Sequence, residues 1–361
     1  MITQPFDFAQ GPSTSLRASA VRYTVRRIRI AAMKAEAVVI AIAATVTAAA
    51  GQAPVKSVKT PSYVVAKTPW GDPDLQGAYT DKDENGIPME KPSQFQGKSL
   101  DEVDDSELAD IVKERQERAA AGAAAIGGAD TGAGPVHWYE HYNAKNSRAW
   151  LVLDPPDGRT PDQVPAVQQR NAARAAVRGG RGAADSYEDR SLYDRCITRG
   201  IVGSMLPVIY GNSFQFVQGP GYVAIRYEMI HETRVIPLTA RPHISSKLHM
   251  LMGDPRGHFE GNTLVVETMN FTDRTALGVN GGGIRHSEKL RLVERFTPIS
   301  ANAIEWRVTV DDPDTWVKPW TFALNLTKDS SQPVFEYACH EGNYAMRNIL
   351  SAARAEERAA K

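Results

Sequence analysis

Charge of one sign is not in surplus in this chain, because 42 Lys and Arg balance 42 Asp and Glu for a formal net charge of zero. Nucleic acid and anionic membrane surfaces both select a basic footprint, so nucleic-acid binding is excluded early. Cysteine is scarce, with Cys196 and Cys339 the two in 361 residues, and a thiolate metal centre needs more ligands than that. No apolar run reaches the roughly 20 residues that span a bilayer; AVVIAIAATVTAAA at 37–50 falls short. A G-x-S-x-G nucleophile elbow and a Walker or Rossmann glycine loop are missing as well. GVNGGGI at 278–284 has the glycines without the strand-to-helix setting and reads as a mobile loop. Without a repeat of 20–50 residues, propellers and solenoids are excluded too.

What is present begins with an export pattern. Arg17, Arg22, Arg26, Arg27, Arg29 and Lys34 precede the apolar run, and small residues followed by GQAPVK close it. A basic segment, an apolar segment and an A-x-A-like site describe a secretory signal peptide. Met33-Lys34 is a sufficient start for it, so residues 1–32 read as an upstream mis-start or disordered leader, and 1–53 as leader plus signal peptide. The expected location is periplasmic or secreted, with no integral membrane span after cleavage. An oxidising compartment and an even cysteine count favour one disulfide, Cys196 to Cys339; the alternative is two separately buried thiols.

Residues 54–135 read as an extended arm, a helix and a Gly/Ala-rich linker. Trp70 and Leu75 serve as apolar pins of the arm, and Ser99 with Glu102 forms a capping box that opens one helix with Leu100, Val103, Leu108, Ile111 and Val112 on its apolar stripe. Residues 136–361 read as one β domain. A short strand is expected at 149–153, and the basic stretch at 168–181 reads as a solvated helical face. From Ser213 onward, apolar runs alternate with turn residues: FQFVQGPGYVAIRYEM, HFEGNTLVVETMNF and KLRLVERFTPISANAIEWRVTV each contain two runs. In IEWRVTV, Ile304, Trp306, Val308 and Val310 share one face, and TFALNL repeats the pattern with Phe322, Leu324 and Leu326. With TRVIPL and VFEYAC this makes about nine strands at hairpin spacing. Such a meander hides its edges by closing or stacking. The expectation is a mainly β fold, an antiparallel meander closing into a calycin-like (lipocalin-like) barrel, with a β-sandwich as alternative and one or two flanking helices.

The ordered series WGDPDLQG, LDPPDGRTP, SYEDRSLYDRCITRG, GSMLP, YEMIHETRVIPL, HFEGNTLVVETMNFTD, LRLVERF and YACHEGNY resembles a widespread family of exported bacterial proteins without an assigned activity. The resemblance runs from Trp70 to Glu357 and implies a single inherited architecture with export, and no catalytic residues. The family more often has Trp and Asp where this chain has Phe259 and Asn262, so position 262 is given no acid–base role.

SYEDRSLYDRCITRG is the densest polar cluster, holding Glu188, Asp189, Arg190, Asp194, Arg195 and Arg199 around Cys196. A Cys196–Cys339 bond would set the two Cα atoms about 5.5 Å apart and bring Arg195, Thr198 and Arg199 beside His340, Glu341 and Asn343. The catalytic reading has His340 as general acid or base, Glu341 orienting it, and Arg199 or Arg195 holding an anionic or carbonyl oxygen. The plain reading is a disulfide corner with a structural ion-pair network. Glu228 and His231 cannot share one face of a regular strand, and a turn between them would be needed. His243 and His249, with His231 and His340, could compose a three-histidine site, but no tight metal motif is present. No metal or cofactor is therefore expected. Ser204 is a possible nucleophile with His340 as base. His137, His141, His258 and His286 read as surface or loop residues.

Aromatics concentrate in the β region. The lining proposed for a lumen ligand is Tyr210, Tyr227, Glu228, His231, His243, Trp306 and Tyr337; the alternative is that the aromatics fill the core. The functional expectation is an exported barrel that binds a small, partly apolar organic molecule. The competing one is a cofactor-free acid–base enzyme, such as a lyase, isomerase or hydrolase, using His340, Glu341 and Arg199.

Overall fold

The computed structural model describes residues 63–126, 140, 144–331 and 333–360. Residues 1–53, expected to be leader and signal peptide, the linker residues 127–135, His137 and His141 lie outside the described residues. Ten strands form: β1 (Gly77–Thr80), β2 (Val152–Asp154), β3 (Ser213–Gly219), β4 (Tyr222–Tyr227), β5 (Thr233–Pro237), β6 (Asp254–Glu260), β7 (Thr263–Met269), β8 (Arg291–Ser300), β9 (Ala303–Asp311) and β10 (Trp320–Lys328). Period-two alternation decides their register. In β9, Ile304, Trp306, Val308 and Val310 are buried while Glu305, Arg307 and Thr309 between them are half-exposed. Each inward side chain gains roughly 1.5–3 kcal/mol by leaving water, and slipping by one residue would turn all of them outward.

The strands form one antiparallel sheet in the order β5-β4-β3-β1-β10-β9-β8-β7-β6, with β2 pairing β10 off this path. Two meanders, β3 to β5 and β6 to β10, are thus joined through β1, which pairs with Phe214 and Lys328 through Tyr79. The arm therefore does more than lie along the domain, since it supplies a central strand. At the two free edges, Ile236 and Leu238 pack where a Cβ on Gly257 of β6 would stand 2.8 and 2.9 Å from them. Glycine at 257 lets this seam close on side chains without a ladder, so the sheet is a nearly closed barrel rather than a sandwich.

Among the described residues four helices flank it: α1 (Asp105–Ile126), α2 (Ala166–Arg178), α3 (Gly200–Met205) and α4 (Ala345–Ala359). That exceeds the one or two expected. The Ser99–Glu102 capping box is present but caps a separate 3-10 turn, Leu100–Glu102. α1 starts beyond it, where the Asp104 carboxylate accepts from Glu107 N–H at 2.8 Å. Leu100, Val103, Leu108 and Ile111 make a second small core with Phe95, Ala149 and Trp150. VFEYAC forms no strand, because no neighbour completes a ladder for it. The basic run on α2 is tied down rather than merely solvated: Arg170 donates to Asp314 O at 2.8 Å and Arg174 to the Asp273 carboxylate at 2.7 Å. No helix among the described residues is long and apolar enough to cross a membrane.

Candidate functional site

Cys196 and Cys339 are bonded, with Cα atoms 5.7 Å apart, as an oxidising compartment allows. The bond brings the two polar segments together, and Asn343 Nδ2 lies 3.1 Å from Cys196 Sγ. Within that corner the side chains part company. His340 and Glu341 are exposed on the turn, whereas Arg199 is 1% exposed and lies over the Tyr193 ring, 5.4 Å from its centroid. Arg195 stacks separately on Tyr187 at 5.3 Å.

Around Arg199 the structure gathers several residues singled out above. Tyr210 stacks on Tyr337 with ring centroids 6.1 Å apart. Glu228 precedes and His231 ends a 3-10 turn, Met229–His231, in which Ile230 and His231 take positive φ. That turn supplies the bend that a straight strand could not. His231 Nδ1 stands 3.1 Å from Tyr337 O, and Ser213 N–H donates to Glu228 Oε2 at 3.2 Å. Burial pushes the Tyr193 and Tyr337 phenols above their ordinary range, with neighbouring Tyr210 adding to both. Burial likewise raises the Glu228 and Glu232 carboxyls.

Asp81, just past β1, had no distinguishing signal in the acidic turn TDKDENG. It is 0% exposed, and among the described residues neither carboxylate oxygen has a hydrogen-bond partner. Burial lifts its carboxyl well above the usual carboxylate range; the Arg199 charge opposes the shift, while Glu140 and Glu84 reinforce it. A raised carboxyl contributes stability that is fully present below its unfolded value, about 3.9, and is lost as pH rises toward the folded value. Stability carried by Asp81 is therefore expected to fall by about 1.4 kcal/mol per pH unit across that window. Asp81→Asn removes this contribution. Urea denaturation over a pH series should show wild type losing stability relative to the variant from about pH 4 upward, and parallel curves would refute the assignment.

Tyr227 and Trp306 lie elsewhere, in the packed barrel interior. Trp306 sits between Phe296 and Phe322, with ring centroids 6.5 and 5.6 Å away. Its Nε1 donates to Glu294 Oε1 at 3.1 Å, and Arg234 forks onto both Glu294 oxygens. The Tyr227 hydroxyl, Arg234 Nε and Thr268 Oγ1 are buried there without a partner among the described residues.

His243 belongs to a third place, a groove of about 860 Å³ over the β5–β6 seam, lined among others by Trp70, Leu238, Arg241, Arg256, Phe259 and Glu267. Its Nδ1 stands 3.1 Å from Asp254 Oδ2 and its Nε2 3.3 Å from Glu267 Oε1. Burial alone would raise both carboxyls. Donation from Ile244 N–H and Arg256 to Asp254, and from Arg291 to Glu267, holds them below the usual range instead. Trp70, expected as a buried pin, is 37% exposed on this groove, while Leu75 is buried.

Other expectations need correction. His286 lies in a loop, as expected, but is buried and not on the surface, with Nε2 2.7 Å from Thr275 Oγ1. Ser204 is buried within α3. The 278–284 loop packs backbone to backbone on α3: a Cβ on Gly203 would meet Gly281 N at 2.4 Å. Among the described residues no three His, Cys, Asp or Glu side chains converge to hold a metal ion, so His231, His243, His249 and His340 do not compose one site. No known protein family, curated protein sequence or solved structure matches the chain.

Proposed function

We propose that the chain is an exported small-molecule-binding protein whose ligand lies in the groove over the β5–β6 seam. The observation that carries this reading is the groove itself. Its volume of about 860 Å³ lies within the range of roughly 300–1,000 Å³ that small-molecule sites occupy, and its walls mix apolar with cationic groups. Trp70, Leu238 and Phe259 offer apolar contact. Arg241 is exposed on the wall with no ion-pair partner among the described residues, whereas Arg256 is engaged by Asp254 at 2.6 Å. The complement is a partly apolar organic molecule with one anionic or strongly hydrogen-bond-accepting end. Export rests on the disulfide and on the basic-then-apolar N-terminal pattern.

An enzyme reading is favoured at one point only, His243, which is held between Asp254 and Glu267 at the groove wall in the manner of an oriented acid–base imidazole. His340 and Glu341 are exposed whereas Arg199 is buried in the wall of a cavity that neither of them lines.

The test uses anilinonaphthalene sulfonate, an apolar anion, titrated by fluorescence and displaced with a panel of small organic acids. One saturable site is expected. Arg241→Ala should weaken it by about tenfold, the loss of one charge-assisted contact. Ala240→Trp, at an exposed position on the wall, should block it by filling the groove. Binding that ignores Ala240→Trp would place the ligand elsewhere and end this proposal. Turnover of a displacing acid that vanishes in His243→Ala would move the assignment to the enzyme.

A further inference from the structure

Beside α3 lies a second, much smaller cavity of about 30 Å³, whose walls include Tyr193, Thr198, Arg199, Arg274, Thr275 and Arg285, with no Asp or Glu among them. A volume of this size exceeds the 10–15 Å³ that one water needs and admits the end of a ligand. Thr198 and Thr275 already spend their hydroxyls on Glu232 and His286. The arginines have not spent theirs. Arg199 is 1% exposed, yet its Nε and Nη2 have no partner among the described residues. Arg274 and Arg285 are exposed and have no ion-pair partner among the described residues either.

A buried guanidinium with open donors is expensive unless an anion or water completes it. Asp81, the acidic group that acts on Arg199, sits outside the cavity wall, and its burial favours the neutral carboxyl. Partial burial pushes the Arg285 guanidinium below the ordinary range; like charges on Arg174, Arg274 and Arg178 add to the shift, and the Asp273 carboxylate, outside the cavity wall, opposes it. The cavity is also pre-built. Gly281 on its wall takes φ +68°, and a Cβ there would stand 2.8 Å from Arg199 O, so the loop fits this tightly only as glycine.

We propose that this cavity is an anion site for the carboxylate or phosphate end of a small molecule, with Arg199 at its base and Arg274 and Arg285 at its rim. Planar guanidinium forks match both groups, and the exposed rim pair would draw an anion toward the buried third arginine. The site is separate from the seam groove, so the two assignments stand or fall independently.

The experiment titrates the full exported protein with sodium acetate and, separately, inorganic phosphate at constant ionic strength, with chloride as the control, and follows heat by calorimetry. Saturable binding of at least one oxyanion is expected: acetate alone identifies a carboxylic acid end, phosphate alone a phosphorylated one. Arg274→Ala and Arg285→Ala, both at exposed positions, should each weaken it about tenfold or more, and Arg199→Met should remove it. Ala240→Trp should leave it unchanged. No saturable oxyanion binding in wild type, or affinity indifferent to both rim variants, overturns the proposal whether or not Arg199→Met folds.

Discussion

Glu294→Ala is expected to lower the unfolding free energy by about 3–5 kcal/mol, the usual consequence of deleting one member of a fully buried ion pair. Glu294 is 0% exposed and Arg234 4% exposed. The carboxylate receives both terminal nitrogens of Arg234 and the Trp306 indole N–H, so its removal strands two donor groups inside the barrel. Arg234 Nε already lacks a partner among the described residues, so the freed donors would join one that is itself unsatisfied. The pair itself is a different matter. Desolvating two charges offsets most of their attraction, so Arg234→Met combined with Glu294→Leu should come out near neutral or even more stable than wild type. Guanidinium denaturation of both variants separates the cases. A loss below about 1 kcal/mol for Glu294→Ala, or a double variant as unstable as the single, would contradict this account. The same geometry bears on function, because a lumen layer occupied by Phe216, Phe296, Trp306 and Phe322 in ring-to-ring contact directs attention to the seam groove and the Arg199 cavity.

Much of the barrel was legible because one-sided burial writes a period of two into the chain. β9 and β10 were read from that alternation, and the β3–β4 hairpin from two apolar runs joined at Gln218-Gly219-Pro220-Gly221. β1 was not, because Gly-Ala-Tyr-Thr carries no pattern of its own and becomes a strand only between β3 and β10, which are remote in sequence. VFEYAC shows the converse failure, an attractive alternation that makes one backbone bond, Tyr337 N–H to Glu228 O, and no ladder among the described residues. In TRVIPL the buried position is Arg234 and Val235 is 54% exposed; an inward charge makes sense only once Glu294 is known to face it. Cysteine arithmetic found the long-range contact between 196 and 339 correctly. It could not say that His340 and Glu341 turn to solvent while Arg199 turns inward, since a disulfide fixes where two backbones meet and not where their neighbours point. His243, Asp254 and Glu267 are assembled by β6, β7 and the loop before them, and no spacing in the sequence announces the trio.

Removing the disulfide by Cys196→Ala with Cys339→Ala is the other change expected to have a large effect. The bonded residues are 143 apart in sequence, and closing so long a loop restricts the unfolded chain by about 5 kcal/mol on the chain-entropy account. That full loss appears only if the C-terminal segment stays docked without the bond. Its other anchors are a few single contacts: Tyr337 N–H donates to Glu228 O at 3.3 Å, His231 Nδ1 stands 3.1 Å from Tyr337 O, Arg226 donates to Val334 O at 3.3 Å and Tyr337 stacks on Tyr210, whereas α4 has no buried residue and Arg354 reaches Asp185 from an exposed position at 3.2–3.3 Å, a surface contact of small worth. Local undocking should therefore come first in the variant, with the barrel still folded. Limited proteolysis and hydrogen exchange under native conditions should then report opening of residues 334–360, while strands β6 to β10 keep wild-type protection. Because Tyr337 stacks on Tyr210 beside Arg199, undocking would also expose the Arg199 corner and weaken oxyanion binding, whereas dye binding in the seam groove would persist. A variant with unchanged protection at 334–360 and unchanged denaturation would show that side-chain packing, and not the bond, holds this corner together.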